Sequence, residues 1–278
     1  MYEELYTEGK NAAEAVDRLR RIISLLRSEE GCPWDKAQTH ESLKVCMVEE
    51  AYEVNEAIDN KDWDNLEEEL GDVLLQVVFH GNLGESEGIF DLKSIANREC
   101  DKMIRRHPHV FSNIKAETID RALEKWENMK KKERQGTQTE SMNEIPKSLP
   151  ALRRSYKVQA KAADVGFDWD HVDEAFNKVT EETQELLEAY RKNDQKRITE
   201  ELGDLLFATV NVARFLGVDP EDALNFTSQK FIRRFGFIEG SAIDAGLKLE
   251  DMTLAEMDKL WEEAKESEGI FNYGCEVK

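Results

Sequence analysis

The sequence predicts an all-α protein made of two tandem copies of one four- to five-helix bundle. Three observations carry this. Apolar residues recur with helical spacing along the chain, and no stretch shows the sustained β-branched alternation that a sheet needs. A pair of acidic motifs occurs twice: Glu49-Glu50-Ala51-Tyr52-Glu53 with Glu69-Leu70-Gly71-Asp72, then Glu181-Glu182-Thr183-Gln184-Glu185 with Glu201-Leu202-Gly203-Asp204. The copies stand at a constant offset of 132 residues, and 16 residues separate Glu53 from Glu69 and Glu185 from Glu201 alike. Finally, 278 residues suffice for two domains of ordinary size.

In chain order, residues 1–10 read as a frayed lead-in. A helix is expected over about Asn11 to Ser28, with Val16, Leu19, Ile22, Ile23 and Leu26 as its apolar stripe. Gly31-Cys32-Pro33-Trp34-Asp35 breaks it, and Trp34 is expected to cover a core edge. Thr39 offers an N-cap for the helix carrying Glu49, Glu50 and Glu53. Residues 59–62 form a turn, and a second acidic helix runs over about Trp63 to Leu83. Another follows over about Leu92 to Arg106, with Pro108 as its stop. A last helix, over about Ile119 to Glu133, carries Trp126 and ends a first domain at residues 11–133.

Residues 134–150 are polar and bounded by Pro146 and Pro150, the composition of a linker. The second domain, residues 151–268, repeats the plan. A helix near Ala151 to Ala163 precedes Gly166-Phe167-Asp168-Trp169-Asp170, which echoes Gly31 to Asp35. The second acidic pair turns at residues 191–194. A helix over about Pro220 to Gly240 includes Lys230, Arg233 and Arg234, a closing helix over about Leu254 to Ser267 carries Trp261, and a loose tail follows from Gly269.

Composition narrows the functions. The net charge is −21, from 59 acidic and 38 basic residues. Such a polyanion repels nucleic-acid polymers and anionic membranes, while a small anion carried in with a divalent metal remains a possible ligand. The four cysteines show no C-x-x-C spacing and read as reduced thiols of a cytoplasmic protein. The acidic start has no signal-peptide pattern, and no apolar run reaches bilayer length.

The acidic motifs carry the chemistry. On a helix, residues three apart project about 60° from one another. Glu182 and Glu185 therefore share a face, as do Glu201 and Asp204, and a short turn between the helices brings both pairs together. Glu50, Glu53, Glu69 and Asp72 repeat the arrangement. A lone Glu-x-x-Glu reads as a solvated surface. Here the acids adjoin apolar runs, residues 73–79 and 205–210, so they border a core where charges pair or bind metal. Converging carboxylates repel, and a hard oxygen set of this kind suits Mg²⁺, with Mn²⁺ as the second choice.

The pattern Glu-Glu-x-x-Glu followed by Glu-x-x-Asp resembles the all-α nucleoside triphosphate pyrophosphohydrolases. The wording of residues 31–35, 105–111 and 148–152 is similar to the two-domain MazG type in particular, and the resemblance covers roughly residues 16 to 265. It implies Mg²⁺-dependent cleavage of a nucleoside triphosphate to monophosphate and pyrophosphate. It also implies a homodimer interlocked through these helices and a role in clearing nucleotide pools or in stress. Glu182, Glu185, Glu201 and Asp204 would ligate the metal, with Glu181 as an outer acid or base for the attacking water. Lys178 and Arg197, each one turn before an acid, correspond to positions that contact the triphosphate. Lys230 and Arg234 form a second cationic pair, and Trp261 would flank the base. A surface ion pair of little worth is the competing reading for each cation.

The halves differ. Cys46 and Asn65 stand where the second half has Lys178 and Arg197, whereas Lys102, Arg106 and Trp126 match Lys230, Arg234 and Trp261. The second domain is therefore expected to be the main catalyst and the first weak or regulatory. Two other readings compete. A di-iron bundle needs Glu-x-x-His, and no histidine has Glu three positions before it. A nucleotide sensor or scaffold with little turnover fits the first domain.

Overall fold

A computed structural model describes residues 2–112, 118–119, 121–122, 126, 129 and 136–268. Every regular element among the described residues is helical. Spatial proximity divides the chain into two units, Met1–Glu133 and Arg134–Lys278.

In the first unit the lead-in contains a 3₁₀ turn, Glu3–Tyr6. Helix α1 spans Ala12–Leu26, with the Asn11 side chain accepting from the Glu14 amide at 3.0 Å. Glycine and proline were expected only to break the chain at residues 31–35. Pro33 instead opens a short helix α2, Pro33–Ala37, because its fixed φ suits the first helical position. Trp34 is 61% exposed and does not cover the core.

Helix α3, Lys44–Asn60, begins later than a Thr39 cap requires. Thr39 and Ser42 cap each other reciprocally at 2.9 and 3.2 Å, closing a separate turn, and buried Leu43 then anchors the chain at the start of α3. Helix α4 spans Trp63–Glu87, one turn longer than expected, and stops at Gly88 in the left-handed region, φ +71°. Helix α5, Leu92–Arg106, starts at a capping box between Asp91 and Ser94. Pro108, expected as a stop, also begins α6, Pro108–Phe111. Ile23, Leu43, Val78, Phe79 and Leu83 form the core of this unit, with Leu19, Leu26, Leu75 and Leu92 against it. The helix expected over 119–133 lies mostly outside the described residues.

The second unit opens inside the expected linker. Residues 138–143 form α7, Gln138–Asn143, held by a Thr137–Glu140 capping box and packed on α8, Ala151–Ala163. Ser141 and Ile145 are buried there. Helices α9, Val172–Arg191, and α10, Gln195–Phe215, form a hairpin. Buried Ala175, Ala189 and Ala208 leave little side chain on these two helices at those points. Helix α11 spans Pro220–Asp244, one turn past Gly240, and α12 spans Leu254–Glu268. Helix α8 packs on both α10 and α11, and α12 on α11. The expected tail from Gly269 lies outside the described residues.

The two acidic hairpins turn in the same way. Lys61 and Asn193 both adopt the left-handed conformation, φ +56° and +53°. The next residue, Asp62 or Asp194, then caps the following helix by accepting from the amide of Asn65 or Arg197. An identical turn at the 132-residue offset places the acids of each copy at the same depth along paired helices.

Candidate active site

Helix α9 carries Lys178, Glu181, Glu182 and Glu185, and α10 carries Arg197, Glu201 and Asp204. Carboxylate oxygens of Glu182, Glu201 and Asp204 lie within 4.8 Å of one another. Glu182 and Glu201 are 4% and 5% exposed, while Asp204 reaches solvent. Two carboxylates at this depth need partners, since removing an ion from water costs several kcal/mol. Lys178 Nζ stands 2.5 Å from Glu182 Oε1 and 2.9 Å from Glu181 Oε1. Arg197 Nη2 donates to Glu201 Oε1 at 2.6 Å. Hydrogen bonds to Glu181 and Glu182 push the Lys178 pKa up, and the bond to Glu201 does the same for Arg197.

Glu185 stands beside this set. The charge of Glu201 first, then burial, raises its pKa. Glu181 is exposed and spends one oxygen on Lys178. Lys230, Arg234 and Trp261 belong to a second group on α11 and α12. The Arg234 guanidinium lies 5.5 Å over the Trp261 ring, Phe231 packs 5.1 Å from it, and Lys230 lies 5.9 Å over Phe226.

The first unit repeats the acidic half of this arrangement. Oxygens of Glu50 on α3 and of Glu69 and Asp72 on α4 lie within 4.8 Å of one another, all three half-buried. Burial first, then Asp72 and the neighbouring glutamates, raises the Glu50 pKa. Burial, then Glu53 and Asp72, does the same for Glu69. Glu53 is exposed and adjoins Glu50. Cys46 is half-buried one turn before Glu50. Among the described residues no ion pair reaches Glu50, Glu69 or Asp72.

The donor chemistry fits a divalent cation in both units. Each set offers three hard oxygens from two helices, and in the first, burial and then the neighbouring carboxylates raise the pKa values of Glu50 and Glu69. What the sequence reading missed is in the first unit. His40 Nδ1 lies 2.7 Å from His80 Nδ1 with the rings stacked, a pairing across 40 residues that no local spacing signals.

Comparison with known proteins assigns the family. The MazG nucleotide pyrophosphohydrolase domain matches residues 38–111 and again residues 172–235, each segment containing one acidic hairpin. A nucleoside triphosphate pyrophosphohydrolase of Escherichia coli K12 is 44% identical over 257 residues, covering 91% of this chain and 98% of that one. A nucleoside triphosphate pyrophosphohydrolase/pyrophosphatase MazG of Thermotoga maritima is 43% identical over 256 residues, 92% and 98% of the two chains. The uncharacterised protein YabN of Bacillus subtilis is 49% identical over 253 residues, 90% of this chain and 51% of the longer relative. With the domain found twice and both chains covered almost end to end, this protein belongs to the MazG nucleotide pyrophosphohydrolase family.

Proposed function

We propose that the protein hydrolyses nucleoside triphosphates, ribo or deoxy, to the monophosphate and pyrophosphate. The second unit is the main catalytic site, with Mg²⁺, or Mn²⁺ in its place, as the cofactor. The observation that carries this reading is the pair of buried carboxylates, Glu182 and Glu201, converging with Asp204 from two helices. The names of the relatives supply the substrate class.

Glu182, Glu201 and Asp204 would hold the cation, with Glu185 beside them. When bound, a divalent cation neutralises charge on phosphate oxygens. The chain's own groups do the rest. Lys178 and Arg197, partly exposed beside Glu182 and Glu201, would offer positive charge to a triphosphate. Glu181, exposed and adjacent, is placed to accept a proton from water once Lys178 turns to phosphate. Lys230 and Arg234 offer further cations, and Trp261, half-buried against Phe231 and Arg234, would flank the base.

The first unit binds metal through Glu50, Glu69 and Asp72, with Glu53 beside them, and turns over slowly or regulates. Its Cys46 and Asn65 supply neither of the two cations found in the second unit. This keeps a nucleotide sensor as the second reading for residues 11–133, with residues 151–268 as the catalytic domain. The chain forms a homodimer through its paired helices. Leu70 and Leu74 in one unit, and Leu202 and Leu206 at the same offset in the other, are 37–51% exposed, an apolar surface typical of an interface. The protein works in the cytoplasm on the free nucleotide pool, as its free cysteines suggest. No helix among the described residues is long and apolar enough to cross a membrane.

A product assay across the common nucleoside triphosphates with Mg²⁺ tests the reading. Monophosphate plus pyrophosphate is expected. Diphosphate plus phosphate, or full turnover in chelated buffer, overturns it.

A further inference from the structure

The two acidic sites differ in one respect that bears on when they take metal. In the second unit both buried carboxylates are already engaged. Lys178 holds Glu182 at 2.5 Å and Arg197 holds Glu201 at 2.6 Å, each from one turn earlier on the same helix. In the first unit Cys46 and Asn65 take those places, and no ion pair reaches Glu50, Glu69 or Asp72 among the described residues. We propose that Lys178 and Arg197 are built-in counter-ions that make metal binding at Glu182, Glu201 and Asp204 depend on a triphosphate, while the first unit takes metal without nucleotide. This rests on the reading of both carboxylate sets as metal sites.

The argument is one of competition. A divalent cation entering the second site would have to share two carboxylates that each already hold a cation through one oxygen, Glu182 Oε1 on the ammonium and Glu201 Oε1 on the guanidinium. Lys178 keeps Glu181 as a second partner, but a metal sharing Glu182 and Glu201 would still stand beside an ammonium and a guanidinium, and these like charges repel. A triphosphate resolves this, because its oxygens give Lys178 and Arg197 new charge-assisted partners, with Arg197 suited to bidentate contact. The carboxylates are then released to the metal that the triphosphate brings. Metal and nucleotide therefore bind cooperatively, and the coupling is reciprocal. At the first site the competing groups are neutral: the Asn65 side chain hydrogen-bonds Glu69 without bringing a charge, and Cys46 stands one turn before Glu50. The site's repelling carboxylates favour a cation from the outset.

The experiment measures Mn²⁺ binding to the metal-stripped full chain by the electron paramagnetic resonance signal of the free ion, with no nucleotide present. Glu50→Gln with Asp72→Asn first removes the contribution of the first unit, and circular dichroism verifies the fold of each variant. Remaining Mn²⁺ affinity is expected to be weak. Adding Lys178→Met and Arg197→Met is expected to tighten it about tenfold or more, within the usual range of such couplings. Lys192→Met with Lys196→Met removes the same charge from the same hairpin and is expected to change it less than about twofold. Tight binding before the cations are removed, or equal tightening by the control pair, overturns the counter-ion role alone. Absence of Mn²⁺ binding in the cation-free variant overturns the metal reading of the second site as well.

Discussion

His40 and His80 meet Nδ1 to Nδ1 at 2.7 Å, with rings 4.9 Å apart and 2° from parallel. One nitrogen must donate and the other accept, so the contact forms only while at least one ring is neutral. His40 sits in the turn before α3 and His80 on α4. Glu87 Oε2 lies 3.9 Å from His40 Nε2, Arg27 just after α1 faces Glu87, Glu41 adjoins His40, and Phe90 packs 5.7 Å from the His40 ring. The pair thus ties the start of one acidic helix to the next.

Burial, and then the charge of His40, lowers the His80 pKa. The folded state therefore resists a proton that the unfolded state accepts. This contribution to stability is complete above the ordinary histidine value, near 6.5, and declines as pH falls through that value toward the lowered one. Thermal melts between pH 8 and 5 are expected to show a fall on the order of a few degrees that His80→Asn removes. A wild-type and variant difference that stays flat with pH contradicts this.

The matched glutamates Glu69 and Glu201 test which unit does the chemistry. Glu201→Gln keeps the shape and an acceptor for Arg197 but removes the charge. Pyrophosphate release is expected to fall at least about a hundredfold, roughly 2.7 kcal/mol. Glu69→Gln is expected to keep it within about threefold, roughly 0.6 kcal/mol. Loss on Glu69→Gln alone reverses the roles of the two units.

The exposed leucines predict the assembly. Sedimentation of the wild-type chain is expected to give a dimer. Leu202→Glu with Leu206→Glu, which places charge on an apolar interface, is expected to give monomers with unchanged helix content. A wild-type monomer at micromolar concentration contradicts the dimer.

Gly84 predicts a packing limit. Helix α4 passes so close to the following segment that an added Cβ would lie 2.6 Å from the Phe90 ring and 2.8 Å from its carbonyl oxygen. The same backbone is held because the Ile89 amide donates to the Gly84 carbonyl at 2.9 Å. Gly84→Ala is expected to cost about 1–3 kcal/mol in urea unfolding of the first unit. A neutral or stabilising effect would show that the turn at 88–90 yields freely.

What was legible in the sequence depended on local periodicity. Contacts three and four residues apart follow from the helix itself. The repeat, the two hairpins, the acidic faces and the pairing of Lys178 with Glu182 and Arg197 with Glu201 could therefore be read before any fold was known. Tertiary structure decided which oxygens converge. The crossing of α9 with α10 gathers Glu182, Glu201 and Asp204 within 4.8 Å of one another, with Glu185 hydrogen-bonded to Glu201 beside them.

Distance along the chain hid the rest. Nothing near His40 announces His80, and nothing near Trp34 shows that it faces solvent. The polar segment after residue 134 reads as a linker, yet a Thr137–Glu140 capping box and the burial of Ser141 and Ile145 make part of it a helix of the second unit. Sequence alone determined the long helices and their charges, because those interactions close within one turn. The fold decided the rest, because burial and convergence depend on which surfaces meet.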